Sequence, residues 1–520
     1  MKRAAVAALC VAACAHARLP ASAVDGASSY VAPRAFVASP AADGWTRELR
    51  VAAGAPGASW VVDAALMEAA QAVAERIAVD PAHRAPSARA VQALAWRAGL
   101  ADPVPTVVTV HRSAGAPLGD DTTRGLQEIA AQDHPTHLGV AEASRGADRF
   151  FVALLSRRRL RLTPVPRSAH RGARLALEGS LEPGLHAPVL SITHPEGRVE
   201  ELPLGDGPDF LGRVPLDAAG TWQVEVEASG AEGSTVLANF PVYVDATPPP
   251  VPPPGAVEAQ AADATAVEAS LLALLNEARA RAGAPPLQAL AALGDAARAH
   301  SRDMAEHHFV AHTSPTHGTV ADRLVAAGLR SGLTLENVAR GYGAQEIHEG
   351  FLASPGHRAN LLNAEVTHVG IGVVADPAGG GLLVTQDFVT VASTIDTGAA
   401  ARPLRRAVNS ARQGRGLVAL EERATLSDAA RAAAEAYFHE PLHTQEEALR
   451  DVTGRLQREG LLFRRLSVAA AFGPRIDGAE RLEPLLDESS RAVGVGVAQG
   501  NRPDAPPNSV FVVYVLAVPR

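Results

Sequence analysis

At residues 354–363 the chain reads Ser354-Pro355-Gly356-His357-Arg358-Ala359-Asn360-Leu361-Leu362-Asn363, and this segment indicates the fold more clearly than any other. The residues that follow, Thr367-His368-Val369-Gly370-Ile371-Gly372, begin a pattern of period two that predicts a strand. Upstream, apolar residues recur at helical spacing from Val267 to Ala282, and a second helix is predicted from Leu293 to His307. Helices first and paired strands last predict a layered α/β domain of about 125 residues.

Two polar segments lie between the predicted helices and strands. They read Phe309-Val310-Ala311-His312-Thr313-Ser314-Pro315 and Leu335-Glu336-Asn337-Val338-Ala339. Together with the segments at 354–363 and 367–372, they resemble the CAP domain of the SCP/PR-1 superfamily, in its compact bacterial form without disulfides. The resemblance covers residues 268–390, with four motifs in the family's order and at family-like gaps. It implies an α-β-α sandwich with an open cleft that gathers two histidines and two acidic residues.

The resemblance implies that His312 and His357 are the cleft histidines and that Glu336 is the first cleft carboxylate. Two neutral imidazoles can hold zinc at about 2.0–2.1 Å with water at the remaining positions, so zinc is the cofactor that this pair suggests. Glu336 is the candidate base on a bound water, or it orients one imidazole through its second nitrogen. In the alternative interpretation, these polar residues only satisfy one another's hydrogen bonds and brace the sheet.

The second acidic position of the cleft is less clear. It falls on Ser354, three residues after Phe351, as in many compact bacterial members of the family. Glu349 or Glu346 on the preceding helix could supply an acid, although nothing in the sequence places either of them in the cleft. Asn337 is assigned to the same cleft, where we expect it to cap a turn rather than touch a ligand.

The composition excludes several kinds of chemistry. The chain has 520 residues and its only lysine is Lys2, so the folded part cannot use a Schiff base, a Ser–Lys dyad or a P-loop. Both cysteines, Cys10 and Cys14, lie near the start, which excludes internal disulfides, thiolate nucleophiles and cysteine-bound zinc from the folded part. The net charge of −8 argues against nucleic acid as a partner.

Residues 1–23 predict an export signal. Basic residues precede an apolar run from Ala4 to Ala13, which is too short to span a bilayer. Val11-Ala12-Ala13-Cys14 resembles a bacterial lipoprotein cleavage box, in which Cys14 would become the lipidated N-terminus. The alternative is cleavage after Ala23 and free secretion. We therefore expect an exported protein, either a cell-envelope lipoprotein or a secreted one, that contacts the membrane only through such an anchor.

A proline-rich linker at residues 247–266 divides the chain. Before it, residues 166–246 show short alternating strands separated by glycine and proline, which predicts an immunoglobulin-like β-sandwich. After it, residues 267–392 form the predicted CAP domain. The predicted fold class is therefore multidomain α/β and β, with CAP-type α-β-α sandwich domains and an immunoglobulin-like β-sandwich.

Internal repeats predict further copies of the CAP-type domain. Asn276-Glu277-Ala278-Arg279 returns as Asn409-Ser410-Ala411-Arg412, and Val369-Gly370-Ile371-Gly372-Val373 returns as Val493-Gly494-Val495-Gly496-Val497. Matches in the same order predict a degenerate second copy at residues 403–520. Weaker matches predict that residues 30–165 form a helical or α/β domain, with a third degenerate copy as one interpretation.

The second copy is predicted to lack the cleft chemistry. Arg481 takes the position of His357 there, and an alignment on Gly473 puts Leu466 at the position of Glu336. This copy also contains His439-Glu440-Pro441-Leu442-His443, which has the spacing of the HExxH zinc-protease signature. The signature needs an unbroken helical turn, and a proline inside it costs about 3 kcal/mol. A metalloprotease is therefore not expected.

Three functions remain open at this point. The favoured one is an extracytoplasmic binding module for a lipid, a glycan or an envelope protein, with a cleft that could hold a divalent metal. The alternative is a metal-dependent hydrolase that uses His312, His357 and Glu336. A third is a structural envelope protein whose stacked domains present surfaces.

Overall fold

The computed structural model describes residues 28–32, 40–80, 86–112, 117–146, 148–252, 263–329, 331, 333–377, 381–391, 394–439, 444–458, 463–473, 478–502 and 508–519. Within these ranges the chain is a mixed α/β protein with several separate sheets. The predicted export signal at 1–23, with Cys14, lies outside the described residues.

The first domain is a four-stranded sheet between helices. Its elements are β1 Ser29–Tyr30, α1 Pro40–Ala52, β2 Val61–Val62, α2 Ala64–Val79, α3 Ala88–Arg97, β3 Thr106–His111, α4 Asp120–Gln132, β4 His137–Arg145 and β5 Asp148–Ser156. The sheet order is β2-β4-β5-β3. Helices α2 and α3 pack on one face of this sheet, and α1 and α4 pack on the other.

The second domain consists of two sheets that share one hydrophobic core. Its strands are β6 Leu160–Leu162, β7 Val165–Pro166, β8 Ser168–Ala169, β9 Arg174–Leu181, β10 His186–Thr193, β11 Val199–Pro203, β12 Asp209–Pro215, β13 Gly220–Gly230 and β14 Gly233–Val244. One sheet has the order β11-β10-β13-β14-β8 and the other has the order β12-β9-β6. Leu177 and Phe210 from the smaller sheet meet Trp222 and Phe240 from the larger one in the core. Strand β7 pairs instead with β1.

The described part of the predicted linker lies against the first domain. Arg97 Nη2 donates to the carbonyl oxygen of Pro249 at 3.1 Å, and Arg76 Nη2 donates to that of Pro252 at 2.6 Å. Val251 packs on the core beneath α2 and α3. These six residues, 247–252, form neither helix nor strand, because proline lacks the amide hydrogen that both require.

The third domain repeats the helix–sheet–helix arrangement. Its elements are α5 Ala264–Arg281, β15 Gln288–Ala289, α6 Ala291–His307, α7 Val320–Ala326, β16 Thr334–Gly341, α8 Ala344–Ala353, α9 Pro355–Leu362, β17 His368–Ala375 and β18 Leu382–Val389. The sheet order is β15-β17-β18-β16. Helices α5 and α8 bury Leu271, Leu275 and Phe351 on one face of the sheet, and α6 buries Met304 on the other.

The fourth domain has the same plan. Its elements are α10 Thr397–Gln413, β19 Glu421–Glu422, α11 Ala424–His439, α12 Gln445–Arg458, β20 Arg465–Gly473, β21 Ala492–Gly500 and β22 Ser509–Val518. The sheet order is β19-β21-β22-β20, and the short edge strand β19 runs parallel to β21, as β15 does to β17 and β2 to β4. Its first helix begins at Thr397, before the predicted domain boundary at residue 403.

One close contact between strand and helix occurs in all three four-stranded domains. A Cβ atom added to Gly139, Gly370 or Gly494 would lie 2.2, 2.3 or 2.1 Å from the carbonyl carbon of Leu66, Leu293 or Leu426. Each glycine is on the strand next to the short edge strand, and each leucine is near the start of the helix that crosses it. No other residue fits at these positions, because a side chain would overlap the helix backbone.

Buried hydrogen bonds also repeat between the third and fourth domains. The side chain of Asn276 bonds both the amide and the carbonyl of Leu287, and that of Asn409 does the same with Leu420. Arg279 donates to the carbonyl oxygens of Pro285, Leu361 and Asn363. Arg412 donates to those of Val418, Leu485 and Asp487. These bonds give the correspondence between the two domains: Asn276, Arg279 and Leu361 match Asn409, Arg412 and Leu485.

Candidate functional site

The polar cluster of the third domain is built around Glu336. Strand β16 carries Glu336, and the loop after α6 carries His312, whose Nδ1 lies 2.9 Å from Glu336 Oε1. Glu336 is only 6 % exposed, whereas His312 is partly open to solvent. The sequence prediction that Glu336 could orient one imidazole is consistent with this distance.

Arg323 holds the other side of the Glu336 carboxylate. Helix α7 begins with Thr319 and Asp322 in a reciprocal capping pair, which fixes the turn that carries Arg323. Arg323 Nη2 donates to Glu336 Oε2, and Nη1 donates to the carbonyl oxygens of His312 and Gly318, each at 3.0 Å. Both oxygens of Glu336 are therefore engaged, one by an imidazole and one by a guanidinium.

A second carboxyl group lies beside Glu336. Strand β18 places Asp387 directly across from Glu336 in the β16–β18 ladder, and Asp387 is 1 % exposed. Burial, and then the charge of Glu336, raise the pKa of Asp387 well above its usual value. Burial also acts to raise the pKa of Glu336, but the hydrogen bond from His312 and the charge of Arg323 outweigh it and lower this pKa. The pair therefore favours one protonated and one ionised carboxyl group.

His357 lies in the first turn of α9. Ser354 caps this helix, and its Oγ accepts a hydrogen bond from the His357 amide. Burial, and then the charge of His312, lower the pKa of His357 to about 3, so its imidazole is neutral at physiological pH. The ring packs edge-on against Phe351 with centroids 5.1 Å apart.

Two asparagines connect α9 to β16. Asn337 Nδ2 donates to the carbonyl oxygen of His357 at 3.3 Å. Asn360 Nδ2 donates to the carbonyl oxygen of Glu336 at 3.0 Å and to Asn337 Oδ1 at 2.9 Å. Asn337 is fully buried. These side chains position the helix that bears His357 relative to the strand that bears Glu336.

Ser354 contacts the second domain. Its Oγ donates to Glu225 Oε1 at 2.9 Å, and the amide of Gly356 donates to the same oxygen at 2.9 Å. Glu225 is on β13, fully buried, and its Oε2 accepts a hydrogen bond from Asn239. Burial, and then the charge of Glu227, raise the pKa of Glu225 to about 8. A carboxyl group from the sandwich thus lies at the first turn of α9.

The hairpin of β13 and β14 also approaches His312. The amide of Thr313 donates to the carbonyl oxygen of Glu232, in the turn of this hairpin, at 3.2 Å. Gly233 has φ +92°, and a Cβ atom there would lie 2.9 Å from the Cβ of His312. The hairpin therefore contacts both segments that carry the candidate histidines.

The structure places Glu349 and Glu346 away from this cluster. Glu349 on α8 pairs with Arg89 of the first domain at 2.6 Å and accepts a hydrogen bond from Gln345. Glu346 accepts hydrogen bonds from the amides of Ala88 and Tyr342, each at 3.0 Å. The predicted additional cleft acids thus connect the third domain to the first, and Asp387 and Glu225 are the carboxyl groups that lie beside the candidate cleft residues.

The residues present do not make a full zinc site. Catalytic zinc is usually held by three protein ligands and a water. Among the described residues no group of three or more His, Cys, Asp or Glu side chains could hold a metal ion. Glu336 is paired with Arg323, so only the imidazoles of His312 and His357 remain as donors.

The fourth domain lacks both carboxyl groups. In the third domain Asp387 pairs across the sheet with Gly370 on one side and Glu336 on the other. In the fourth domain Val515 pairs in the same way with Gly494 and Val468, so Val515 and Val468 take the positions of the two acids. The alignment on Gly473, which put Leu466 at the Glu336 position, was therefore displaced by two residues, because the strand ladder rather than the nearest glycine sets the register. Val468, like Leu466, is apolar, so an apolar residue still stands at the position of Glu336.

The other two predictions for this domain concern Arg481 and the HExxH segment. Arg481 lies at the end of a short 3₁₀ turn, Ala479–Arg481, four residues before Leu485. His357 lies four residues before Leu361, so the matched hydrogen bonds of Arg279 and Arg412 put Arg481 at its position. Residues Glu440, Pro441, Leu442 and His443 of the HExxH segment lie outside the described residues.

The fold and the site define a class of domain. It is an α-β-α domain in which a buried carboxylate is held between a histidine and an arginine. The model of the CAP family, described as the cysteine-rich secretory protein family, matches residues 272–388. The predicted CAP domain is confirmed: the family model matches residues 272–388, which lie within the third domain.

Two curated relatives and one solved structure illustrate the similarity. The uncharacterized protein YkwD of Bacillus subtilis is 35 % identical over 126 residues, which are 24 % of this chain and 48 % of that protein. The uncharacterized membrane protein YlbC of the same organism is 36 % identical over 111 residues, which are 21 % of this chain and 32 % of that protein. An extracellular protein with an SCP domain from Bacillus anthracis is 20 % identical, with a TM-score of 0.23, covering 44 % of this chain and 88 % of that one.

The chain thus spans half or less of the curated relatives that it matches. No helix among the described residues is long and apolar enough to cross a membrane.

Proposed function

We propose that the chain is an exported cell-envelope protein whose CAP domain binds a lipid, a glycan or a protein. The observation that carries this is the state of Glu336: His312 engages one carboxylate oxygen and Arg323 engages the other. A general base needs a free oxygen within hydrogen-bonding reach of the proton that it removes. A carboxylate that is buried and held by a guanidinium is better suited to fixing the geometry of a binding surface than to activating water.

Charge balance supports the same proposal. The charges of Glu336 and Arg323 offset one another, and Asp387 favours its neutral form. His357 is neutral as well. The site therefore presents polar groups without a net charge, an arrangement that suits recognition by hydrogen bonds and packing.

The β-sandwich fits the proposal as a second extracytoplasmic module. We infer that residues 166–246 are immunoglobulin-like, as the sequence predicted. The strand orders β11-β10-β13-β14-β8 and β12-β9-β6, and the parallel pairing of β8 with β14, support this inference. Anchoring through Cys14 belongs to the same proposal and rests on the sequence alone.

The experiment that tests the proposal compares ligand retention with turnover in the full chain. Organic extracts of purified wild type, His312→Ala and His357→Ala are analysed by mass spectrometry, and each protein is bound to glycan arrays. Ester and glycoside hydrolysis is measured in parallel on wild type and Glu336→Gln. Retained lipid or glycan without turnover supports a binding module.

Two outcomes contradict the proposal. Turnover that Glu336→Gln abolishes while the protein stays folded supports the hydrolase. If neither a retained ligand nor turnover is detected, the result supports a structural protein. A zinc titration of wild type and both histidine variants by calorimetry separates metal binding from these outcomes, because two imidazoles are expected to give weak binding that either substitution abolishes.

A further inference from the structure

A groove lies between the β-sandwich and the CAP domain, on the side of α9 that faces away from the candidate cleft. Its volume is about 670 Å³, within the range of about 300–1,000 Å³ that small-ligand sites occupy. The turn before β11 forms one wall, and the ends of α5, α8 and α9 form the other. Ligand sites occur preferentially at such domain boundaries.

Arg358 is the central cation of this groove. It is half-buried, and its Nε donates to the carbonyl oxygen of Gly197 at 3.2 Å. Gly197 has φ +94°, a conformation that favours glycine, and a Cβ atom there would lie 2.9 Å from Arg358 Nη2, so the guanidinium lies close to this turn. Among the described residues no carboxylate lies within 4.0 Å of Arg358. Burial alone lowers its pKa, with no acidic neighbour opposing the shift.

The other two arginines on the walls have carboxylate neighbours, so Arg358 differs from them. Arg198 pairs with Glu196 at 3.5 Å and with Glu200 at 3.1 Å. Arg281, near the end of α5, donates through Nε to the carbonyl oxygen of Glu277 at 3.3 Å, and its Nη2 lies 3.9 Å from the Glu277 carboxylate. Among the described residues of the walls, Arg358 is therefore the arginine without a carboxylate within 4.0 Å, and Arg281 lies beside it with only a long, exposed ion pair.

Comparison with the fourth domain shows that the fold does not need these two arginines. The matched hydrogen bonds of Arg279 and Arg412 make Gly414 the counterpart of Arg281. The same match, through Leu361 and Leu485, makes Leu482 the counterpart of Arg358. The fourth domain keeps the sheet and the buried arginine without either cation, so the fold of the domain itself does not require them.

We propose that this groove binds a phosphate ester, with the phosphate held by Arg281 and Arg358 and its organic part lying on Val199 and Leu352. Planar guanidinium groups present paired donors that match phosphate oxygens. The carbonyl of Gly197 holds Nε of Arg358, which leaves its two terminal nitrogens for the ligand. The apolar residues in the lining favour an ester over inorganic phosphate, because they bury hydrocarbon.

The test uses the full chain with inorganic phosphate, butyl phosphate and vesicles as probes. Binding of the two phosphates is measured by calorimetry on wild type, Arg281→Met, Arg358→Met and Arg302→Met. Arg302 is exposed on α6, away from the groove, so its variant controls for the loss of one positive charge. We expect each groove variant to lose at least about tenfold in affinity for butyl phosphate and the control to lose none.

Vesicles of phosphatidylcholine with and without phosphatidylglycerol distinguish the source of the phosphate. Binding to the phosphatidylglycerol vesicles that Arg358→Met abolishes places the phosphate in a lipid headgroup. Binding of butyl phosphate without vesicle binding places it in a free ester, and both results support the groove. Because α9 could shift in Arg358→Met, circular dichroism accompanies each variant, and Arg281→Met provides a substitution on a largely exposed side chain.

Three results overturn the proposal. The first is that wild type binds neither phosphate. The second is that Arg302→Met weakens binding as much as the groove variants do, which identifies a general charge effect. The third is that butyl phosphate binds no more tightly than inorganic phosphate, which removes the role of the apolar walls.

Discussion

Ser354 Oγ and Glu225 Oε1 are 2.9 Å apart although they belong to different domains, and the Gly356 amide shares the same acceptor. Two donors in the first turn of α9 are therefore satisfied by a side chain from the β-sandwich. The helix that carries His357 thus depends on the sandwich for part of its N-terminal hydrogen bonding.

Removing this acceptor should loosen the contact between the two domains. In Glu225→Ala the Ser354 hydroxyl and the Gly356 amide lose their partner, which should lower the free energy of unfolding by about 1–3 kcal/mol. Hydrogen exchange should rise at residues 354–357 and 312–314. Glu178→Ala, an exposed glutamate on the other sheet, is the control. Equal protection in the two variants would show that the contact is not maintained in solution.

The burial of Glu225 should make the stability of the protein fall as the pH rises. Burial, and then Glu227, raise the pKa of Glu225 to about 8 from an ordinary value near 4.5. A raised pKa means that the contribution to stability is fully present below about pH 4.5 and is lost as the pH rises through about 8. Urea unfolding at several pH values should show this loss in wild type. Glu225→Gln, which resembles the protonated acid, should show less pH dependence; identical pH profiles would contradict the assignment.

Arg323 should stabilise the third domain through Glu336. Arg323→Met leaves a buried carboxylate without its cation, which is expected to cost about 3–5 kcal/mol. The double variant Arg323→Met with Glu336→Gln removes the unpaired charge and should recover part of that loss. Chemical denaturation of both variants gives the comparison. A double variant that is less stable than Arg323→Met alone would contradict this account.

His357 should remain neutral over the physiological range. Burial, and then His312, lower its pKa to about 3, so its ring resonances should not shift between about pH 5 and pH 8 in heteronuclear NMR spectra. The pKa of His357 is lower in the folded protein than in the unfolded protein, where it is near 6.5. The resulting contribution to stability is fully present above about pH 6.5 and is lost as the pH falls toward 3. His357→Ala assigns the resonances. A titration near pH 6.5 would show that the ring is solvated.

The glycines against the helices should not tolerate alanine. Gly370→Ala and Gly494→Ala each place a methyl group against helix backbone, so each should cost about 1–3 kcal/mol or more. Gly350→Ala is the matched control on α8, because nothing lies within 4 Å of its Cβ position. This control should raise stability by up to about 1 kcal/mol. Thermal melts of the three variants test the contrast.

The sequence predicted the CAP domain because its motifs are local. Ser354 to Asn363 and Thr367 to Gly372 are short segments whose residue types and spacing are recognisable without a structure. Asp387 was missed because the segment Leu382-Leu383-Val384-Thr385-Gln386-Asp387-Phe388 was interpreted only as a strand, and its polar residues match none of the motifs used. Only the strand register places it beside Glu336, across 51 positions of sequence.

Glu225 was missed for a related reason. It occurs in Trp222-Gln223-Val224-Glu225-Val226-Glu227, whose alternation of polar and apolar residues is typical of a strand with one face in water. The structure covers that polar face with α9 of another domain. A single sequence contains the alternation but not the partner that packs against it, so the contact between domains could not be predicted.

The hairpin that contacts α9 is joined to the CAP domain by one continuous chain. Such a covalent tether keeps two surfaces at an effective concentration of about a millimolar when the connection is short and flexible. An interface of a few hydrogen bonds is too weak to hold two separate molecules together at cellular concentrations. The same interface can persist at the high effective concentration that a tether provides. Cleavage between the two domains would remove this tether, and the contact between Ser354 and Glu225 would then depend on the noncovalent interface alone. A protease acting on the connecting segment would change what this surface offers to its surroundings without altering any residue of the CAP domain itself.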